Sequence, residues 1–90
     1  MLKPVYTKHF AKDIKKAGKR GKNPEKFKII AQTLLADEEL DELQRDHNLT
    51  GNFSGRRECH IESDWLLIYK KVGKQVIFER TGTHFDLFKK

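Results

Sequence analysis

Ninety residues, 36% of them charged and 37% hydrophobic, make one small polar domain over residues 1–90, with a modest core and no room for a second. The net charge of +6 points to a polyanionic partner, nucleic acid ahead of an acidic membrane. A single cysteine excludes a disulfide framework and fits a reducing cytosol, and no apolar run approaches the roughly 20 residues that span a bilayer, so a cytoplasmic protein without membrane contact is expected.

Charge is unevenly spread. Residues 1–36 hold ten Lys/Arg against two Asp/Glu, residues 37–46 hold six acids against Arg45, and the remainder is +3. Leu2 to Tyr6 reads as a short edge strand that tolerates Pro4. Thr7 is an N-cap for a helix running to about Arg20, with Phe10, Ile14 and Ala17 at helical spacing and lysines on the other face. Gly18 and Gly21 end it, and Asn23-Pro24 restarts a second helix with Phe27, Ile30, Ala31, Leu34 and Leu35 on one side. A helical hairpin covering one sheet face is expected. Leu40 and Leu43 fit a short helix or an irregular loop, Asp46 to Asn48 a turn, and the stretch to Gly55 a surface loop.

From Arg57 onward the pattern is hairpin and meander. Strands are expected at Arg57–Ile61, Asp64–Tyr69 and Gln75–Arg80. With Glu62-Ser63 as a two-residue connection, His60 would pair with Trp65, and Leu66 and Ile68 would face the helices. Trp65, Leu67 and Tyr69 would then line the opposite face, and Val76, Phe78 and Arg80 would share one side of the third strand. The fold class is α+β: a small twisted antiparallel sheet with the N-terminal helical hairpin on one face and an aromatic, cationic surface on the other.

Three histidines from separate segments, His47, His60 and His84, flank that surface, which is how an acid–base site is assembled. Arg80, ending a strand just before Gly82, suits a bidentate phosphate contact or an ion pair with a nearby acid. Asp64, beside His60, can orient an imidazole or cap the turn. Trp65 and Phe88 offer flat faces for an unstacked base. A metal does not fit: Cys59 and His60 are adjacent on a strand and point to opposite faces, and neither a Cys-x-x-Cys nor a His-x-x-x-His pair occurs. No cofactor is expected. Imidazoles, an arginine and stacking rings on a basic protein suit RNA, whose own 2′-hydroxyl is the nucleophile.

The motifs Asp46-His47-Asn48-Leu49-x-Gly51, Arg57-Glu58-Cys59-His60-Ile61-x-x-Asp64-Trp65-Leu66-Leu67-Ile68-Tyr69 and Phe78-Glu79-Arg80-Thr81-Gly82-Thr83-His84-x-x-Leu87-Phe88 resemble the YafQ-type toxins of the RelE superfamily. The likeness is close over the second half of the chain; the first half matches in length and layout. The resemblance implies a ribosome-dependent endoribonuclease that cleaves mRNA in the A site, and neutralisation by a co-encoded antitoxin. It implies active positions at His47, His60, Asp64, Trp65, Arg80, His84 and Phe88, all with matching identities. His60 and His47 would move protons with Asp64 assisting, Arg80 would stabilise phosphate charge and His84 would protonate the leaving oxygen. The split between acid and base stays open. Lys12, Lys16 and Arg20, on the basic first helix, would grip ribosomal RNA. Relatives of this fold that lack catalytic residues act by binding alone, and the histidines argue against that alternative here.

Overall fold

The computed structural model describes residues 1–89. The first strand, β1 (Lys3–Tyr6), feeds helix α1 (Lys8–Lys19), and α2 (Pro24–Leu35) follows. Thr7 caps α1 by accepting from the Phe10 amide at 3.0 Å, and Asn23 caps α2 by accepting from the Glu25 amide at 3.0 Å, with Pro24 in the first turn. Gly21, at φ +87°, takes the left-handed backbone that turns the chain between the helices. Among the described residues no helix is long and apolar enough to cross a membrane.

Three strands then form a meander, β3 (Arg57–Glu62), β4 (Trp65–Val72) and β5 (Gln75–Gly82), closed by the five-residue helix α3 (His84–Phe88). Ahead of them lies a two-residue strand, β2 (His47–Asn48), where a turn was expected. It pairs with β3, and its side chains explain why. Tyr69 Oη donates to Asp46 at 2.6 Å, and Arg57 donates to Asn48 at 2.7 Å and to Asp46 at 3.2 Å, clamping both flanks of His47 to the sheet. Leu40 and Leu43 flank and occupy a 3₁₀ turn and loop rather than an α-helix, with the turn at Glu42–Gln44.

The sheet order is β1-β5-β4-β3-β2. Its pairings are antiparallel, as expected, except that β1 runs parallel to β5. A parallel neighbour needs a long crossover, which the helices and the meander between these two strands supply.

The β3–β4 register differs from the expected one by a residue. The turn falls at Ser63-Asp64 and Glu62 pairs with Trp65; a bulge at Ile61 then sets His60 opposite Leu66. A one-residue slip exchanges faces. Trp65, Leu67 and Tyr69 therefore pack under the helices with Phe10, Phe27, Ile30, Leu34 and Phe78, while Leu66 and Ile68 lie on the other side with Leu87 and the half-buried Leu49, Phe53 and Phe88. A second irregularity lies in β5. Tyr69 pairs with Phe78 but Ile68 pairs with Arg80, leaving Glu79 as an extra residue. That bulge puts Arg80 opposite Ile68, on the face away from Phe78.

Candidate active site

The open face collects the histidines from three elements. His60 stands on β3 and His84 opens α3; their ring centroids are 5.7 Å apart at an interplanar angle of 60°. His84 is held twice by one oxygen. Asp64 Oδ1 accepts from its backbone N–H at 2.8 Å and from its Nδ1 at 2.6 Å. A carboxylate oxygen here only accepts, so the Nδ1 proton is spent on Asp64 and Nε2 is left for other work. The same two contacts, the backbone one first, hold the Asp64 carboxyl below its ordinary range. Asp64 sits in the Ser63-Asp64 turn, and the Glu62 beside that turn takes Lys22 at 2.8 Å and Lys26 at 2.7 Å, tying the hairpin end to the start of α2.

His47 donates from Nδ1 to the Arg45 carbonyl at 2.6 Å, and its Nε2 lies 3.4 Å from Glu58 Oε1. The same oxygen is 3.7 Å from His60 Nε2. Glu58 is only 5% exposed, so a buried carboxylate stands between two imidazoles. Sequence reasoning passed over it. The signal was there: Glu58 precedes His60 by two positions, and on a strand that puts both on one face.

Arg80 is engaged rather than free. Its Nε donates to Asp13 Oδ2 at 2.6 Å and its Nη2 to Asp13 Oδ1 at 3.2 Å, and this pairing raises the guanidinium pKa further. The ion pair, one of the two options read from the sequence, is present, with an acid from α1. Arg20 likewise donates to Asp86 at 2.6 Å, with Lys16 3.8 Å from the same carboxylate, so the basic face of α1 runs alongside α3. Lys12 is exposed on α1.

The two aromatic candidates separate. Trp65 is 1% exposed in the core under the helices; its Nε1 donates to Thr81 Oγ1 at 2.9 Å, which donates in turn to the Leu66 carbonyl at 2.6 Å. The expectation that its ring lies on the open face is corrected by the register shift, and its faces are covered by core side chains. Phe88 does lie on the open side, half-buried and edge-on to Phe53 with centroids 5.5 Å apart. Shallow grooves border the cluster. One of about 630 Å³ is lined by His60 and the Glu42–Arg45 turn, one of about 460 Å³ by Phe53 and Phe88, and one of about 420 Å³ by Arg56, Phe53 and Arg80. Among the described residues no three His, Cys, Asp or Glu side chains converge as metal ligands. Cys59 is fully buried and burial pushes its thiol well above its ordinary pKa, which disqualifies it as a nucleophile.

A helical hairpin on one face of a five-stranded sheet is the RelE-like fold, and in this chain the other face carries paired imidazoles. A sequence model described as the bacterial toxin of type II toxin–antitoxin systems, YafQ, matches residues 2–89, and the chain belongs to that family. The mRNA interferase toxin YafQ of Escherichia coli K12 is 43% identical over 84 residues, covering 92% of this chain and 91% of the relative. A copper-bound mutant toxin from Helicobacter pylori superposes with a TM-score of 0.94 at 36% identity over 98% of this chain and 100% of that one. YafQ in the E. coli DinJ–YafQ complex superposes with a TM-score of 0.90 at 40% identity, over 98% and 99% of the two chains.

Proposed function

We propose that this toxin is an mRNA interferase, an endoribonuclease that cuts mRNA in the ribosomal A site and thereby stops translation in the cytoplasm. The observation that carries the proposal is the His60–His84 pair, 5.7 Å apart, with Asp64 fixing the His84 tautomer. One histidine of the cluster, His60 or His47, takes the proton from the 2′-hydroxyl. The 2′-oxygen attacks phosphorus, and the bond from phosphorus to the 5′-oxygen breaks. The imidazole of His84, through the nitrogen that Asp64 leaves available, gives its proton to the departing 5′-oxygen. Atoms balance without water: the products are a 2′,3′-cyclic phosphate and a 5′-hydroxyl. Arg80 lies opposite Ile68 on the same face and supplies positive charge for the phosphorane-like transition state. Phe88 holds a base, and Lys12, Lys16 and Arg20 hold ribosomal RNA.

The partners follow from this role. A YafQ-family toxin is one half of a toxin–antitoxin pair, and the DinJ–YafQ complex supports a cognate antitoxin protein for this chain. The test is to add purified toxin to a translation reaction and map mRNA 5′ ends beside His60→Ala and His84→Ala variants. Cuts that need the ribosome and disappear in both variants are expected. Arrested translation on intact mRNA would replace this reading with a binding poison.

A further inference from the structure

Residues 1–24 contain a single acid, Asp13, in the middle of the lysine-rich helix α1. It does not face water. Its carboxylate takes Arg80 Nε and Nη2 at 2.6 and 3.2 Å, and Oδ2 also accepts from the Thr81 backbone N–H at 3.2 Å. That amide needs a partner because β1 covers only Gln75–Phe78 of the β5 edge. Beyond it α1 and its cap take over: Thr7 Oγ1 donates to the Glu79 carbonyl at 2.8 Å, and Asp13, six residues and nearly two helical turns further along, serves Thr81. Asp13 is thus anchored to the strand's backbone and to the arginine at once.

The geometry points to Asp13 as a positioning residue for Arg80, resting on the reading of Arg80 as the cation that faces the scissile phosphate. A free arginine side chain on a bulged strand end samples many rotamers. Gripping it at Nε and Nη2 fixes the plane of the guanidinium and leaves Nη1, which makes no hydrogen bond to any described residue, to meet a phosphate oxygen. The pairing side is chosen so that the fork is held from behind, by a carboxylate whose own place does not depend on substrate. Asp86 repeats the device next door, gripping Arg20 at the C-cap of the same helix while its other contacts close the start of α3. The two pairs stitch α1 to the end of β5 and to α3.

The experiment is a double-mutant cycle on translating ribosomes, using Asp13→Asn, which keeps shape and removes charge, in wild-type and Arg80→Lys backgrounds. Asp13→Asn is expected to slow single-turnover cleavage about tenfold or more, with half-saturating ribosome concentration changed less than about threefold. In the Arg80→Lys background, which lacks the fork, it should change the rate less than about twofold. The Arg80 Nε–Hε signal in NMR spectra of the free toxin reports the pair directly and should move in Asp13→Asn while the rest of the spectrum stays folded. Asp13→Asn cleaving at the wild-type rate or faster overturns the proposal, as does an equal loss in both backgrounds. Failure of the wild-type protein to cut mRNA sinks the ribonuclease reading itself, a different result from wild-type cutting that Asp13→Asn leaves unchanged.

Discussion

Glu58 shows what one buried carboxylate can do at this site. Its Oε1 is within 3.7 Å of two imidazole nitrogens from different strands, so it sets the spacing of His47 and His60. Glu58→Gln keeps the volume but puts a neutral amide where a carboxyl stands between the imidazoles. Single-turnover mRNA cleavage is expected to fall roughly tenfold, with Glu58→Asp recovering part of the loss. Trp65 makes the opposite case. Trp65→Phe removes the Nε1 donor to Thr81 and some core volume, and should lower unfolding free energy by about 1–2 kcal/mol in urea titrations. The cleavage rate of the folded variant should stay within about twofold of wild type; a much larger loss would mean that the ring reaches RNA after all. Histidines, Asp64 and Arg80 were legible in the sequence because their chemistry attaches to residue type. Glu58 was not, since an acid in a strand reads as an ordinary surface residue unless the histidine two places on is considered with it. Asp13 meets Arg80 across 67 positions of chain, a distance no local pattern spans.

At the level of elements, both helices and the meander follow from caps and periodicity, whereas the faces of β4 do not. Trp65 to Tyr69 are all buried, so apolar alternation, the signal that fixes register on a half-exposed strand, is absent. The bulge at Glu79 is equally silent in composition, yet it decides which side Arg80 takes. Helix α3 has a sharper signature: Thr83 accepts from the Asp86 N–H at 3.0 Å and Asp86 accepts from the Thr83 N–H at 3.1 Å, a capping box on five residues. Its carboxyl is pushed far below the usual range, first by Arg20 and then by the Thr83 amide. A depressed carboxylate stabilises the fold above its unfolded pKa, about 4, and that contribution is lost as pH falls through the folded value. Asp86→Asn should therefore cost about 1 kcal/mol near neutrality. Its melting temperature should converge on wild type as the pH drops below about 4. A gap that stays constant from pH 7 to pH 3 would show that the charge at Asp86 contributes nothing.

For the molecule as a whole, the uneven charge becomes a surface. Lys16 and Arg20 lie beside α3, with Lys12 exposed on the same helix, so the basic flank adjoins the histidine face. Replacing Lys12 and Lys16 with Ala should weaken ribosome association and flatten its salt dependence by roughly 0.7–0.9 in log–log slope per lost phosphate contact. Binding measured at several salt concentrations reads this out; an unchanged slope would assign those lysines to solvent. The strand order carries a last consequence. β5 lies between β1 and β4, so the first strand has no neighbour until residues 75–78 arrive. A nascent polypeptide that stops before β5 has neither the complete five-stranded sheet nor the residues Arg80 and His84. The toxin cannot take its folded shape until β5 has itself been translated.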